Sequence, residues 1–463
     1  MKERPCGRPS LAIASGLALL LWTLTACDRV MPPSRSEQQP ITTVPKGVTV
    51  VSVQKTAKGF QLLRGGKPYF LQGAGGLERF AELRAAGGNS VRLWSTDYAG
   101  PLLDEAQQHG LTVMLGLWLE PESQHFTYYD PAAVEDQLNR VRQQVLRYRN
   151  HPALLMWSIG NEVEQKAKGP RLFAAINRIA RMIHELDPYH PVTTALASDF
   201  VVRARQLQRV APEVDILSVN VYEQLKDLSQ VITASGWRGP FIVSEYNGIG
   251  YWQGANTTWG VPLEQNSTEK AAFISTGYRR HIQHNPHCLG GYAFYWGSKF
   301  EYTPTWLSLF EPTGEKTELV DELQLLWSKH YPANRAPRLV GMRLAGQVDT
   351  SGVQLQAGQH VTATVEAIDP EGDSLTTRWE VMPEVDIQVF TPEVAATPLE
   401  VVPGCILKAA GKQATVRVPT TPGPYRLFVR VFDGHGSVAT ANIPFLVKKA
   451  GKSVAYSAAT TTD

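Results

Sequence analysis

From residue 69 onward, short apolar runs alternate with longer segments in which apolar residues recur every three to four positions. The runs at 69–73, 89–95, 112–119, 154–161, 192–197, 216–222, 241–246 and 290–296 have strand length. The segments at 77–86, 100–108, 132–149, 170–186, 201–210, 225–234 and 268–283 have helical period, and 317–330 closes the series. Strands that are apolar on both faces need cover on both sides, which helical crossovers supply. Eight such pairs in about 260 residues predict an α/β chain built on a parallel (β/α)8 barrel, the TIM barrel. A doubly wound open sheet is the competing reading, and it wants a Gly-rich phosphate turn after an early strand. Gly73-Ala74-Gly75-Gly76 lacks the GxGxxG spacing and has no acid at the next strand end, so it reads as a tight βα turn.

Before the barrel, residues 47–69 turn at Lys58-Gly59 and at Gly65-Gly66, which predicts a β-hairpin leading into it. After a linker at 334–337 the helical period disappears. Alternating stretches at 361–367, 376–381, 414–418 and 425–431 predict a smaller all-β sandwich. The expected layout is a leader at 1–26, a tether at 27–46, a barrel at 47–332, a sandwich at 338–448 and a disordered tail at 449–463.

The leader rests on Lys2, Arg4 and Arg8, followed by an apolar stretch at 11–24 that is short for a membrane span. It ends in Leu24-Thr25-Ala26-Cys27, which resembles a bacterial lipoprotein signal with Cys27 as the lipidated residue. The tether is rich in Pro, Ser, Thr and Gln. That resemblance implies a place in the bacterial cell envelope, facing the periplasm or the cell surface, with a membrane partner through the lipid on Cys27.

Composition narrows the rest. Hydrophobic residues make up 43% of 463 and charged residues 19%, enough apolar material for a large core. The net charge is +2, and removal of residues 1–26 takes away three bases and one acid, leaving 42 of each sign. Such a balance leaves no electrostatic footprint for nucleic acid. Four cysteines in this length exclude a disulfide scaffold. Cys288 and Cys405 read as free buried thiols, and without CxxC or HxxxH spacing no metal or cofactor is expected.

In a TIM barrel the working groups sit at the C-terminal ends of the strands. Those ends hold Arg92 and Trp94, Trp118 and Glu120, Asn161 and Glu162, Asn220 and Tyr222, Glu245, and Trp296. Two carboxylates at the fourth and seventh strand ends, among amides and aromatic rings, are what glycosidic bond cleavage requires: one donates a proton while the other attacks or positions water. Residues 247–267 form a long loop with Tyr251, Trp252 and Trp259, rings suited to stack on sugar faces. Tyr302 and Trp306 in the last loop have the same standing.

Ser158-Ile159-Gly160-Asn161-Glu162 resembles the strand-four signature of retaining glycoside hydrolases with (β/α)8 barrels, and Val243-Ser244-Glu245-Tyr246 resembles their strand-seven signature. Within that clan, Trp118 to Asp130 and the run ending at Glu162 are most similar to the catalytic barrel of glycoside hydrolase family 2. The resemblance implies Glu162 as acid/base and Glu245 as nucleophile. It implies Asn161 on the sugar 2-hydroxyl, Tyr222 and Arg92 on Glu245, and Trp296 as the floor beneath the sugar. Trp118, Asn220, Trp252 and Trp259 complete the expected binding residues, with Glu120 on a hydroxyl or paired with Arg92. In the C-terminal part, Asp369-Pro370-Glu371-Gly372-Asp373 resembles the acidic turn of immunoglobulin-like modules, with Trp379 as the expected core residue.

The expected function is a retaining O-glycoside hydrolase or transglycosylase acting on a β-linked oligo- or polysaccharide. The alternative is a non-catalytic carbohydrate-binding or envelope scaffold lipoprotein; loss of either glutamate would favour it, and both are present.

Overall fold

The computed structural model of the protein describes residues 44–385 and 399–449. The expected leader, Cys27, most of the tether, and the tail from residue 450 lie outside the described residues.

The chain enters through a small antiparallel sheet of β1 (Val51–Lys55), β2 (Phe60–Arg64) and β3 (Lys67–Pro68). Its apolar side chains, Val51, Val53, Phe60 and Leu62, pack against Leu71, Met114, Met156, Ile216, Ile242 and Leu289 near the starts of barrel strands. The hairpin thus stoppers the N-terminal mouth of the barrel with an apolar plug.

The closed barrel comprises β4 (Leu71–Gly75), β5 (Ser90–Leu93), β6 (Thr112–Leu117), β7 (Leu154–Asn161), β8 (Val192–Leu196), β9 (Ile216–Val221), β10 (Phe241–Tyr246) and β11 (Cys288–Phe294). Every pairing around it is parallel, and β11 closes on β4. Seven of the eight residues of β7 are buried, as a strand covered on both faces must be.

The outer layer is α1 (Phe80–Ala85), α2 (Ala99–Gln108), α3 (Pro131–Tyr148), α4 (Arg171–Leu186), α5 (Val201–Val210), α6 (Leu228–Ser235), α7 (Ser267–Gly277) and α8 (Glu318–Ser328). Local chemistry sets their ends. Asp130 caps α3 by accepting from the amides of Ala132 and Ala133, with Pro131 in the first turn. Asn266 and Glu269 form a reciprocal capping box on α7. Along α4, Leu172, Phe173, Ile176, Ile179, Ala180 and Ile183 bury one stripe against the barrel.

The Gly73–Gly76 cluster corrects the turn reading, because Gly73 and Gly75 lie inside β4. A Cβ on Gly73 would meet the Ser90 carbonyl and the Tyr292 ring at 2.6 Å, and one on Gly75 would meet the Trp94 ring at 2.7 Å. These glycines make room for rings inside the barrel.

The sandwich is built from β12 (Arg338–Leu344), β13 (Gln354–Gln356), β14 (His360–Ile368), β15 (Thr376–Pro383), β16 (Ile406–Ala410), β17 (Gln413–Arg417), β18 (Gly423–Phe432) and β19 (Val438–Lys448). One sheet runs β12-β14-β17-β16 and the other β13-β19-β18-β15. Alternate residues such as Val361, Ala363 and Val365 of β14 meet Trp379, Leu427 and Val429 in one core. Cys288 and Cys405 are free and buried. In the acidic turn, the Asp369 carboxylate accepts from the amides of Glu371 and Asp373, while Glu371 pairs with Arg335.

Sandwich and barrel share a polar seam. Arg426 on β18, buried to 1% exposure, donates to Glu384 at 2.6 Å, to Asn442 at 2.6 Å and to the Pro262 carbonyl at 2.8 Å. Asn442 donates to Glu264 at 2.8 Å, and Lys270 of α7 donates to the same carboxylate at 2.6 Å. Burial alone would raise the Glu264 pKa, but the adjacent Lys270 and Arg426 hold it below the ordinary carboxylate value. Pro262 and Glu264 belong to the loop after β10, so the sandwich grips that loop from outside. Among the described residues no helix is long and apolar enough to cross a membrane.

Candidate active site

Two strand ends carry bulges, and each bulge precedes a glutamate. In β7 the register against β8 steps from Ser158↔Thr193 to Asn161↔Ala195, so β7 holds one extra residue there. Gly160 within it has φ +66°, and Glu162 just beyond adopts φ 52°, a left-handed conformation uncommon for a residue with a Cβ. In β10 the register against β9 steps from Val243↔Val219 to Glu245↔Asn220, again one residue extra on the glutamate's strand. Bulges re-aim side chains. Here Glu162 and Glu245 both end in one cleft at the C-terminal mouth of the barrel.

Glu245 is nearly buried and is held by donors on both oxygens. Arg92 donates to its Oε1 at 2.6 Å, Trp94 Nε1 to the same oxygen at 2.9 Å, and the Tyr222 hydroxyl to Oε2 at 2.8 Å. Arg and Trp can only donate, so the site is shaped around an acceptor-only carboxylate. Arg92 also donates to the Ser244 carbonyl at 2.8 Å and, through Nη2, to Asn161 Oδ1 at 2.6 Å. Asn220 Nδ2 donates to Asn161 Oδ1 at 3.1 Å. With its oxygen taken from two sides, Asn161 presents its amide nitrogen to the cleft that it lines.

Glu162 has different surroundings. Its Oε1 accepts from Asn220 Nδ2 at 2.8 Å and its Oε2 from Gln165 at 2.6 Å. Burial first, and then the charge of Glu245, push its pKa up to about 8, against the opposing hydrogen bond from Asn220. Glu164, two residues on, is buried with one oxygen accepting from the Ala197 amide at 2.6 Å; burial raises it to about 7.

The opposite wall is aromatic and loop-borne. The cleft, about 560 Å³, is lined by Trp94, Trp118, Trp252, Phe294 and Tyr295 besides the glutamates. Trp252 meets Tyr222 edge-on at 5.0 Å and Tyr251 at 4.7 Å. Tyr251 stacks on Tyr302 at 5.1 Å, and the Tyr302 hydroxyl donates to Glu384 of the sandwich at 3.3 Å. Trp306 Nε1 donates to the Ile249 carbonyl at 2.8 Å. A second pocket of about 690 Å³ adjoins the first across Glu162, Trp252 and Glu301, with Asp199, Gln224 and Gln253 on its far side.

Of the expected residues, Arg92, Trp118, Asn161, Glu162, Asn220, Tyr222, Glu245 and Trp252 are brought together here. Asn220 is fully buried and touches Glu162 rather than the open cleft. Three expectations are corrected. Trp296 is not a floor: β11 ends at Phe294, the chain turns, and the indole sinks between Phe310 and Trp327 with Nε1 donating to the Arg79 carbonyl. Trp259 points the other way, its ring edge 3.6 Å from where a Cβ on Gly352 of the sandwich would sit. Glu120 is exposed outside the cleft lining, and Arg92, its expected partner, is engaged by Glu245 and Asn161. Phe294, Tyr295, Lys299 and Glu301 were not anticipated. Phe294 closes β11, and Tyr295, Lys299 and Glu301 share with Tyr302 and Trp306 the loop that follows it. Among the described residues no group of three or more His, Cys, Asp or Glu is arranged to hold a metal ion.

Fold and site together define a TIM barrel with a carboxylate pair at its open mouth. Residues 94–308 match the family model described as glycosyl hydrolases family 2, TIM barrel domain. Over 201 residues the chain is 25% identical to a β-glucuronidase of Homo sapiens, and over 202 residues 28% identical to that of Rattus norvegicus. Each alignment covers 39% of this chain and 28% of the relative, so the match spans little more than a quarter of those relatives' length. Among solved structures, β-glucuronidase 2 of Bacteroides uniformis superimposes with a TM-score of 0.47 at 16% identity, covering 86% of this chain and 48% of that one. The enzyme of Dictyoglomus thermophilum gives 0.47 at 19% identity, covering 61% and 54%.

Proposed function

We propose that this chain is a retaining O-glycoside hydrolase or transglycosylase that acts on a β-linked oligo- or polysaccharide by double displacement. One observation supports this above the others: two glutamates from the fourth and seventh barrel strands share a cleft but have opposite surroundings. Glu162, with its pKa near 8, starts protonated and gives that proton to the leaving-group oxygen as the glycosidic bond breaks. Glu245, oriented by Arg92, Trp94 and Tyr222, attacks the anomeric carbon and forms a glycosyl ester. That ester removes the Glu245 charge, one of the causes that raise Glu162, so the Glu162 carboxylate left after proton donation stays ionised and can take the proton of the incoming water or hydroxyl. The new oxygen bonds to the anomeric carbon and Glu245 leaves as carboxylate. The Asn161 amide is the donor for the sugar 2-hydroxyl, a bond that strengthens as positive charge develops on the ring.

Trp118 and Trp252 supply faces for stacking. The sandwich, an immunoglobulin-like module in this reading, braces the wall that Trp252 occupies. Because the similar proteins are named β-glucuronidases, β-glucuronides belong beside neutral β-glycans among the substrates to test. The lipoprotein-like signal supports anchoring in the bacterial envelope through Cys27; labelled palmitate should enter the wild-type protein and be absent from Cys27→Ser.

Reducing-end release on a panel of β-glucans and β-glucuronides, with wild type and Glu245→Ala, tests the activity. Wild type should release sugar and the variant should not; equal traces from both would overturn the assignment.

A further inference from the structure

The charges in the cleft constrain which sugar it accepts. Among the described residues lining the two adjoining pockets, Lys299 is the one cation, against the carboxylates of Asp199, Glu245 and Glu301, with Glu162 starting protonated. Lys299 is already engaged. Its ammonium pairs with Glu301, two residues on, and rests 5.3 Å from the Phe294 ring centroid. Beneath the cleft, the Arg92 guanidinium is buried and committed to Glu245 and Asn161. Glu301 stands at the junction of both pockets, with its side chain only 17% exposed, so its charge acts where solvent screens it little.

A sugar carrying a carboxylate would enter this space without a free cation to receive it and with acids already in place. Taking a charge out of water without a partner is costly, whereas a hydroxyl can donate to the same acids at no such cost. Polar neutral partners are at hand for hydroxyls: Asn161, Gln165, Gln224 and Gln253 line the same space.

We infer that the Lys299–Glu301 pair acts as a charge filter that restricts this cleft to neutral β-glycans and excludes uronic acid sugars. Glu301 is then a specificity-determining residue. The inference rests on the glycosidase reading above, and it narrows that reading to one substrate class.

Matched covalent probes test it. Cyclophellitol aziridines and their 6-carboxylate counterparts share one warhead and differ at C6, so their relative rates report on charge. The full chain is incubated with gluco-, galacto- and manno-configured pairs, and labelling is followed by intact mass with peptide mapping of Glu245. At least one neutral probe should label about tenfold faster than its carboxylated twin. Glu301→Gln frees the Lys299 charge and should bring the two rates together by about tenfold, with Glu301→Ala as a second variant moving the ratio the same way. Such a change in ratio is not produced by a general loss of structure. Faster labelling by a carboxylated probe in wild type overturns the filter while leaving the glycosidase reading intact. An unchanged ratio in both variants also overturns it. Absence of labelling by every probe sinks the glycosidase reading and the filter together.

Discussion

The two walls of the cleft are built by different means. One wall is made of strand ends: Arg92, Asn161, Asn220 and Glu245 lock together through hydrogen bonds of 2.6 to 3.3 Å on a closed barrel. The other is made of loops: Trp252 meets Tyr251 edge-on, Tyr251 stacks on Tyr302, and Tyr302 is held from behind by Glu384, itself paired with Arg426 of the sandwich. Hydrogen bonds between rigid strands fix reacting groups to a narrow geometry, and stacked rings on loops offer area that adapts to a ligand. The first wall is thus suited to chemistry and the second to binding, and perturbing each should leave a different kinetic signature.

The largest effect is expected from Glu245→Ala on the strand-end wall, with kcat reduced roughly 10^4-fold or more in steady-state assays and KM of secondary importance. Glu162→Gln should cost about 10²–10⁴-fold on poor leaving groups and much less on aryl glycosides whose leaving group needs no proton. Because Glu162 must start protonated, wild-type kcat/KM should fall as pH rises through about 8, and this alkaline limb should be missing in Glu162→Gln.

The loop wall should respond on binding. Tyr302→Leu removes the ring beneath Tyr251, and KM should rise about three- to tenfold with kcat changed less than about twofold. An equal fall in kcat would mean that the two walls are not separable.

The smallest expected effect concerns stability. Glu162 and Glu164 have folded-state pKa values raised to about 8 and about 7, above the ordinary 4.5. Between those values the native protein holds protons that the unfolded chain has released, so stability should fall as pH rises through that window. Replacing Glu164 with Gln should narrow the difference in urea unfolding free energy between pH 5 and pH 8 by roughly 1–3 kcal/mol.

This contrast also marks what could be read from the chain. Runs such as 154–161 and 241–246 are mostly apolar and match the observed bounds of β7 and β10, because burial on both faces leaves a strong local pattern. The two glutamates follow from those strands and their neighbouring motifs. The bulges that aim them do not, apart from Gly160 with its positive φ. Loop side chains have no period to announce their direction. Trp259 turns to the sandwich and Trp296 to the core, each by contacts with residues far away in sequence. The pairing of Lys299 with Glu301 likewise has no local pattern, because a loop leaves the direction of both side chains to the fold around it.

The most direct test of the account is the stereochemistry of the first product. Proton NMR of wild-type enzyme acting on whichever β-glycan it cleaves should show the β-anomeric signal first, with the α-anomer growing only by mutarotation. Initial appearance of the α-anomer would mean that water attacks in a single step, and Glu245 would not be a nucleophile.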